Sequence, residues 1–140
     1  MKSYIMAHDL GTSSDKAVLV DFEGNIVATA KEDYPTFYPQ PAWVEQDPMD
    51  YWEKSCLASA RIMIENNISP DDVKAVIFST QAQGIIPVTE TGDLLYNNIT
   101  WVDGRAEKQA ASIMNKVGGK RIFTLFSGFF FEFAKLRYFA

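Results

Sequence analysis

The residues best equipped for chemistry lie near the N-terminus, in Ala7-His8-Asp9-Leu10-Gly11-Thr12-Ser13-Ser14-Asp15. One carboxylate, Asp9, stands just before a glycine and three hydroxyl residues. Gly11 has no Cβ, so a backbone here can come close to a ligand. Thr12, Ser13 and Ser14 place hydroxyls beside backbone N–H groups, and a turn of this kind can cradle phosphate oxygens. Asp9 would repel a phosphate directly. It can instead hold Mg²⁺, often through water, with the metal bridging to the phosphate. The same residues also suit an ordinary hairpin turn. The turn is not a Walker loop, because the Gly-Lys-Ser/Thr ending is absent and no helix follows.

Such a turn needs strands to hold it. Tyr4-Ile5-Met6-Ala7 and Ala17-Val18-Leu19-Val20 are apolar runs of strand length, so strands are expected at 3–9 and 16–22. Both read as central strands covered on two faces. Glu23-Gly24-Asn25 turns the chain into a third strand at 26–34, giving an antiparallel meander. Pro35, Pro39, Pro41 and Pro48 mark 35–48 as extended loop. Asp47 is a good N-cap and Pro48 a good first helical residue, so a helix is expected at 48–65. Trp52, Cys56, Ala60 and Met63 share one face of it at helical spacing, and Asn66-Asn67 end it. Ser69-Pro70-Asp71-Asp72 starts a single turn, and Val73–Ser79 reads as a fourth strand ending at the polar cluster Gln81-Ala82-Gln83-Gly84. A short strand at 85–89, an extended piece at 94–96 and a helix at 104–117 follow. Ala106, Ala110, Ile113, Met114 and Val117 face inward, and Gly118-Gly119 form the C-cap. The spacing shows no internal repeat.

The sequence of 140 residues is long enough for one domain with a core, and 47% hydrophobic content marks it as globular. A net charge of −5 without a Lys/Arg run argues against nucleic acid and anionic membrane as partners. The N-terminus reads as neither a signal peptide nor a membrane span. A single cysteine, Cys56, excludes an internal disulfide framework and suits a reducing cytoplasm. It is expected in the core. With one histidine, neither a His-based metal cluster nor a Ser-His-Asp triad is expected, and His8 reads as a strand residue with a satisfied ring. Phe123, Phe126, Phe129, Phe130, Phe131, Phe133, Tyr138 and Phe139 crowd the C-terminal stretch. They would leave a large apolar patch unless something covers them, and a helix is expected at 132–139.

Three pieces stand in one order: Asp9-x-Gly11-Thr12-Ser13, Trp43-Val44-Glu45-Gln46-Asp47-Pro48 and Trp101-Val102-Asp103-Gly104-Arg105-Ala106. Together they resemble the N-terminal part of the FGGY family of carbohydrate kinases, most closely its xylulokinase members. The resemblance covers residues 3 to about 118 well and the tail poorly. It implies an α/β fold of the ribonuclease H-like, actin/hexokinase type, opening with the three-stranded meander. It also implies ATP and Mg²⁺ as cofactors and a cytoplasmic enzyme that phosphorylates a hydroxyl of a ketopentose or related sugar or polyol. Asp9 would face Mg²⁺ and the transferring phosphoryl group, and Gly11, Thr12 and Ser13 would line its path. Lys16 matches a basic position where it could neutralise phosphate charge, or is a solvated strand-end lysine. Gln81-Ala82-Gln83-Gly84 falls where xylulokinases resemble Gln-Met-His-Gly and contact the sugar; Ala82 and Gln83 depart from that pattern. Asp103 and Arg105 would reach sugar hydroxyls, or form a local salt bridge and helix cap. Trp101 offers an apolar face to the sugar, while Trp43 and Glu45 read as structural.

In the family, the catalytic base and most of the nucleotide site lie beyond the position of residue 140. Residues 1–140 are therefore expected to form a partial N-terminal sugar-binding domain, inactive alone and without the second, nucleotide-binding domain. Gln81, Gln83, Asp103 and Arg105 are expected to converge on one cleft near Asp9. The alternative is a non-catalytic assembly module. On either reading the isolated chain is expected to form a homodimer or otherwise self-associate through residues 122–140.

Overall fold

A computed structural model of the chain describes residues 2–116. The elements run β1 (Tyr4–Leu10), β2 (Ser14–Asp21), β3 (Ile26–Asp33), β4 (Glu45–Gln46), α1 (Pro48–Glu65), a 3₁₀ turn (Pro70–Asp72), β5 (Val73–Thr80), β6 (Asn98–Ile99) and α2 (Glu107–Lys116). The chain divides into two units. The first comprises residues up to Pro35 together with Asp47–Gln81; the second comprises Thr36–Gln46 and the residues from Ala82 onward. The aromatic stretch 122–140, Val117, the Gly118-Gly119 cap and the helix expected at 132–139 lie outside the described residues.

The first unit is a four-stranded sheet in the order β3-β2-β1-β5 with α1 against it. β1–β2 and β2–β3 are antiparallel, as the expected meander requires. β5 returns parallel to β1, with Asp9 opposite Ser79 and Leu10 opposite Thr80. The long crossover containing α1 makes that parallel pairing possible. Alternation along β1 and β2 sorts the side chains. Tyr4, Met6, Ala17 and Leu19 meet Ala30, Ala58 and Ile62 in the core. Full burial of a side chain such as Met6, Leu19 or Ile62 contributes roughly 1.5–3 kcal/mol. The opposite face of these strands is only partly covered, so among the described residues they are packed on one side rather than two.

The α1 helix starts and stops where its capping residues indicate. The Asp47 side chain accepts from Met49 N at 2.8 Å, Pro48 occupies the first position, and Asn66 is the C-cap. Its inward face differs from expectation. Ser55, Ala58 and Ile62 are buried, whereas Trp52 is 63% exposed and Cys56 is exposed. Both sets fit the helical period; small side chains at Ser55 and Ala58 allow the close approach to the sheet.

In the second unit, β4 pairs antiparallel with β6. The strand expected at 85–89 is absent: Ile85 and Val88 make only isolated bridges, to Ile99 and Leu94, and Pro87 cannot donate to a ladder. α2 begins at Glu107, later than expected, and Ala110, Ile113 and Met114 are half-buried on it. Ala106, just before the helix, is buried.

Candidate functional site

In the first unit the residues of the N-terminal motif gather at the ends of β1 and β2. Asp9 pairs with Lys16 across the two strands, so both side chains project from the sheet face opposite α1. Lys16 Nζ lies 3.9 Å from Asp9 Oδ2, and the side chains are 61% and 58% exposed. This is a loose, solvated pair whose charges are available to a ligand. Gly11 N donates to Asp9 O and Ser14 O, both at 3.0 Å, which closes the turn. Thr12 and Ser13 at its tip are exposed, and Ser14 is buried. A Cβ added to Gly11 would meet only Ser14 O at 3.5 Å, an ordinary contact. The local fold therefore does not demand glycine here, and its missing side chain leaves room above the turn. Gln81 sits beside it, donating its backbone N–H to Leu10 O at 2.7 Å and its side-chain amide to Tyr51 Oη at 3.2 Å.

The other face of the same strands is sealed. His8, 3% exposed, engages Asp15 Oδ2 through Nδ1 at 2.7 Å and Ser59 Oγ through Nε2 at 3.1 Å, and it stacks on Phe78 at 4.8 Å. The ring is satisfied, as expected for a strand histidine. Asp15, His8 and Ser59 nevertheless stand in the order of a Ser-His-Asp triad, contrary to the expectation that none would form. The reason is tertiary: α1 carries Ser59 over β1. His8 and Asp15 are buried and Ser59 is half-buried, and the group ties α1 to the sheet.

Tyr34, just after β3, carried no functional signal in the sequence. It is 5% exposed. Its hydroxyl donates to Gly11 O and lies 3.2 Å from Ser14 O, and its backbone N–H donates to Ser13 O at 3.2 Å. Its ring packs edge-on against Tyr51, centroids 5.0 Å apart. Burial, and then the neighbouring Tyr51, Asp15 and Asp9, hold its phenol above the usual range. The hydroxyl thus remains a donor.

In the second unit the positions of interest fall into an open group and a closed one. Ala82, Gln83 and Trp101 are exposed, Trp101 at 50%. Gln83 adopts a left-handed φ of 65°, and a Cβ on the next residue, Gly84, would come within 2.7 Å of Asn98 Oδ1. Asp103 and Arg105 form the closed group. Arg105 Nη2 lies 2.7 Å from Glu45 Oε1 and 2.9 Å from Asp103 Oδ2, with side-chain exposures of 1%, 5% and 0% for arginine, glutamate and aspartate. The guanidinium lies 3.9 Å over the Trp43 ring. Asp103 also accepts from Val44 N at 2.6 Å and Arg105 N at 3.0 Å. Tyr96 Oη and Asn97 Nδ2 complete the shell of Glu45 at 2.7 and 3.0 Å. Burial raises the Glu45 carboxyl, but these hydrogen bonds and the Arg105 charge outweigh it and hold the group below its usual range. The structure therefore gives Asp103 and Arg105 the local salt bridge, and Trp43 and Glu45 the structural part expected of them.

Among the described residues no group of three or more His, Cys, Asp or Glu could cage a metal ion. A single open carboxylate such as Asp9 fits Mg²⁺, which binds through one or two carboxylates, phosphate oxygens and water. An open pocket of about 510 Å³, lined by Lys2, Tyr4, Asp21, Phe22 and Glu23 among others, lies at the opposite end of β1 and β2 and is unrelated to this chemistry. Among the described residues no helix is long and apolar enough to cross a membrane.

Residues 4–135 match the N-terminal domain of the FGGY family of carbohydrate kinases. A glycerol kinase from Paracidovorax citrulli is 37% identical over 112 residues, 79% of this chain and 22% of that protein. A glycerol kinase from Alkaliphilus oremlandii is 39% identical over 102 residues, 72% of this chain and 20% of that protein. The chain thus spans about a fifth of the length of these curated relatives. Among solved structures, a gluconate kinase from Lactobacillus acidophilus superimposes with a TM-score of 0.75 at 27% identity, over 89% of this chain and 25% of that one. A ligand-bound xylulose kinase from the same organism gives 0.74 at 27% identity, over 87% and 24%.

Proposed function

The chain belongs to the FGGY family of carbohydrate kinases, and from that premise we propose that it supplies the phosphate-facing turn and part of the acceptor wall of an ATP-dependent kinase acting on a sugar or polyol hydroxyl. The observation that carries this reading is the shared open face of Asp9 and Lys16 beside exposed Thr12 and Ser13. Phosphoryl transfer is catalysed mainly by positioning and charge stabilisation, and these side chains are built for both. Asp9 would hold Mg²⁺, which would supply neutralisation of phosphate charge. Gly11, Thr12 and Ser13 line the phosphate path, and Lys16 offsets developing negative charge. Within the second unit, exposed Ala82, Gln83 and Trp101 are the candidate acceptor contacts, and Asp103 and Arg105 brace the loop that carries Trp101. We assign no proton acceptor among residues 2–116.

For the acceptor we infer a small polyhydroxylated molecule, a ketopentose such as xylulose or a shorter polyol. The named relatives act on glycerol, gluconate and xylulose. The exposed amide of Gln83 suits a hydroxyl as its partner. The test is NMR titration of the 140-residue chain with Mg²⁺-pyrophosphate, then with glycerol, D-xylulose and gluconate. Thr12 and Ser13 amides are expected to shift with Mg²⁺-pyrophosphate, and Asp9→Asn to abolish the Mg²⁺-dependent part. A response unchanged by that substitution, or no response, would overturn the reading. Perturbation of Gln83 and Trp101 by one acceptor only would identify the substrate class.

A further inference from the structure

The phosphate turn is held by carbonyls rather than by its own tip. Gly11 O accepts from the Tyr34 hydroxyl, which also approaches Ser14 O at 3.2 Å, and Ser13 O accepts from Tyr34 N at 3.2 Å. One residue thus engages three of the four carbonyls from Gly11 to Ser14. All peptide bonds here are trans. In a trans peptide the N–H of the next residue points opposite to the carbonyl. Drawing the Gly11 and Ser13 carbonyls toward Tyr34 therefore turns the Thr12 and Ser14 N–H groups away from it. A nest of donors needs such a backbone setting.

The same tyrosine is joined to the acceptor side. Its ring meets Tyr51 edge-on at 5.0 Å, and Tyr51 Oη accepts from the Gln81 amide at 3.2 Å. Gln81 N closes the loop on Leu10 O at 2.7 Å, the residue just before the turn. Gly11, Tyr34, Tyr51, Gln81 and Leu10 form a ring of contacts within the first unit. We propose that Tyr34 is a positioning residue: it sets the donor geometry of the 11–14 turn and couples it, through Tyr51, to the placement of Gln81. This rests on the phosphate reading above for its function, and on the hydrogen bonds alone for its geometry.

Tyr34→Phe tests it, because the ring and its packing on Tyr51 remain while the hydroxyl is lost. In the 140-residue chain, amide exchange at Gly11 should accelerate about tenfold, as expected when a buried carbonyl loses its donor and the turn opens locally. Exchange at Met6 and Leu19, in the core strands, should not change. Tyr51→Phe keeps the ring and removes the acceptor of the Gln81 amide, and should shift the Gln81 side-chain resonances while sparing Gly11. An unchanged Gly11 rate in Tyr34→Phe, or a uniform acceleration that includes Met6 and Leu19, would overturn the proposal. Mg²⁺-pyrophosphate separates the two claims. Thr12 and Ser13 amide shifts present in the wild-type chain and weakened in Tyr34→Phe support positioning. Equal shifts in both overturn it. No shift in either would sink the phosphate reading itself, while the Gly11 exchange result would still decide whether the brace exists.

Discussion

Two charged clusters in this chain have similar ingredients and opposite fates. Asp9 and Lys16 face each other at 3.9 Å with more than half of each side chain in solvent. Arg105, Glu45 and Asp103 meet at 2.7–2.9 Å with side chains at most 5% exposed. Among the described residues the open pair has no charged partner beyond itself, and its charges remain available to a ligand. In the sealed group both carboxylates are spent on the guanidinium, Tyr96, Asn97 and backbone N–H groups. The lesson is that a charged motif residue in this fold is fit for chemistry when its hydrogen-bonding capacity is left over, and fit for architecture when it is used up.

The contrast is broken most directly by Arg105→Ala. Removing the cation leaves two buried carboxylates unpaired, and about 3–5 kcal/mol of stability should be lost, measured by urea unfolding. A loss below 1 kcal/mol would show that water reaches the group. Asp15→Ala, on the sealed face of the first unit, strips the Nδ1 partner from buried His8. Roughly 1–3 kcal/mol should be lost, with Mg²⁺-pyrophosphate shifts at Thr12 retained if the two faces act separately. Acid sharpens the comparison next. Glu45 is held below its ordinary value, so its contribution is complete above the unfolded carboxyl pKa of about 4.3 and is lost as pH falls through the lower folded value. Unfolding curves at pH 7 and pH 3 should diverge more for the wild-type chain than for Glu45→Gln, which cannot titrate. The smallest effect belongs to Lys16→Ala. An exposed ion pair contributes about 0–1 kcal/mol, so stability should barely move. Pyrophosphate binding should weaken at low salt, and the difference should shrink as salt screens the charge.

The parts of the fold written in local chemistry were legible. Asp47-Pro48 and Asn66 mark the ends of α1 because capping depends on a few neighbouring residues. The short turns of the meander are equally local. What could not be read was which of two helical faces would turn inward. Trp52-Cys56-Ala60-Met63 and Ser55-Ala58-Ile62 both fit the period; Met63 packs against the core as expected, while contact with the sheet leaves Trp52 and Cys56 outside. Pro87 was the available warning against a strand at 85–89. The Asp9 turn and Lys16 were legible because they are close in sequence. Ser59 lies 51 residues from His8, and nothing in the chain announces their meeting. Tyr34 reads as one more aromatic at a strand end, since the carbonyls it serves appear only after β2 and β3 pair. For Asp103 and Arg105 both readings were visible, and the salt bridge is the one whose geometry the structure displays.

The parallel pairing of β5 with β1 also bears on how the chain folds. Turns of a few residues join β1, β2 and β3, so their contacts close cheaply. Tyr4 reaches Val73 only across the rest of the meander, the proline-rich loop and α1. Closing so long a loop loses more chain entropy before any contact compensates for it. β5 should therefore dock late, with the meander and α1 already formed at the rate-limiting step. Phe78→Ala, which removes the ring stacked on His8, is then expected to speed unfolding and leave the folding rate nearly unchanged, whereas Leu19→Ala should slow folding. Equal effects of the two substitutions on the folding rate in stopped-flow measurements would place β5 in the nucleus instead.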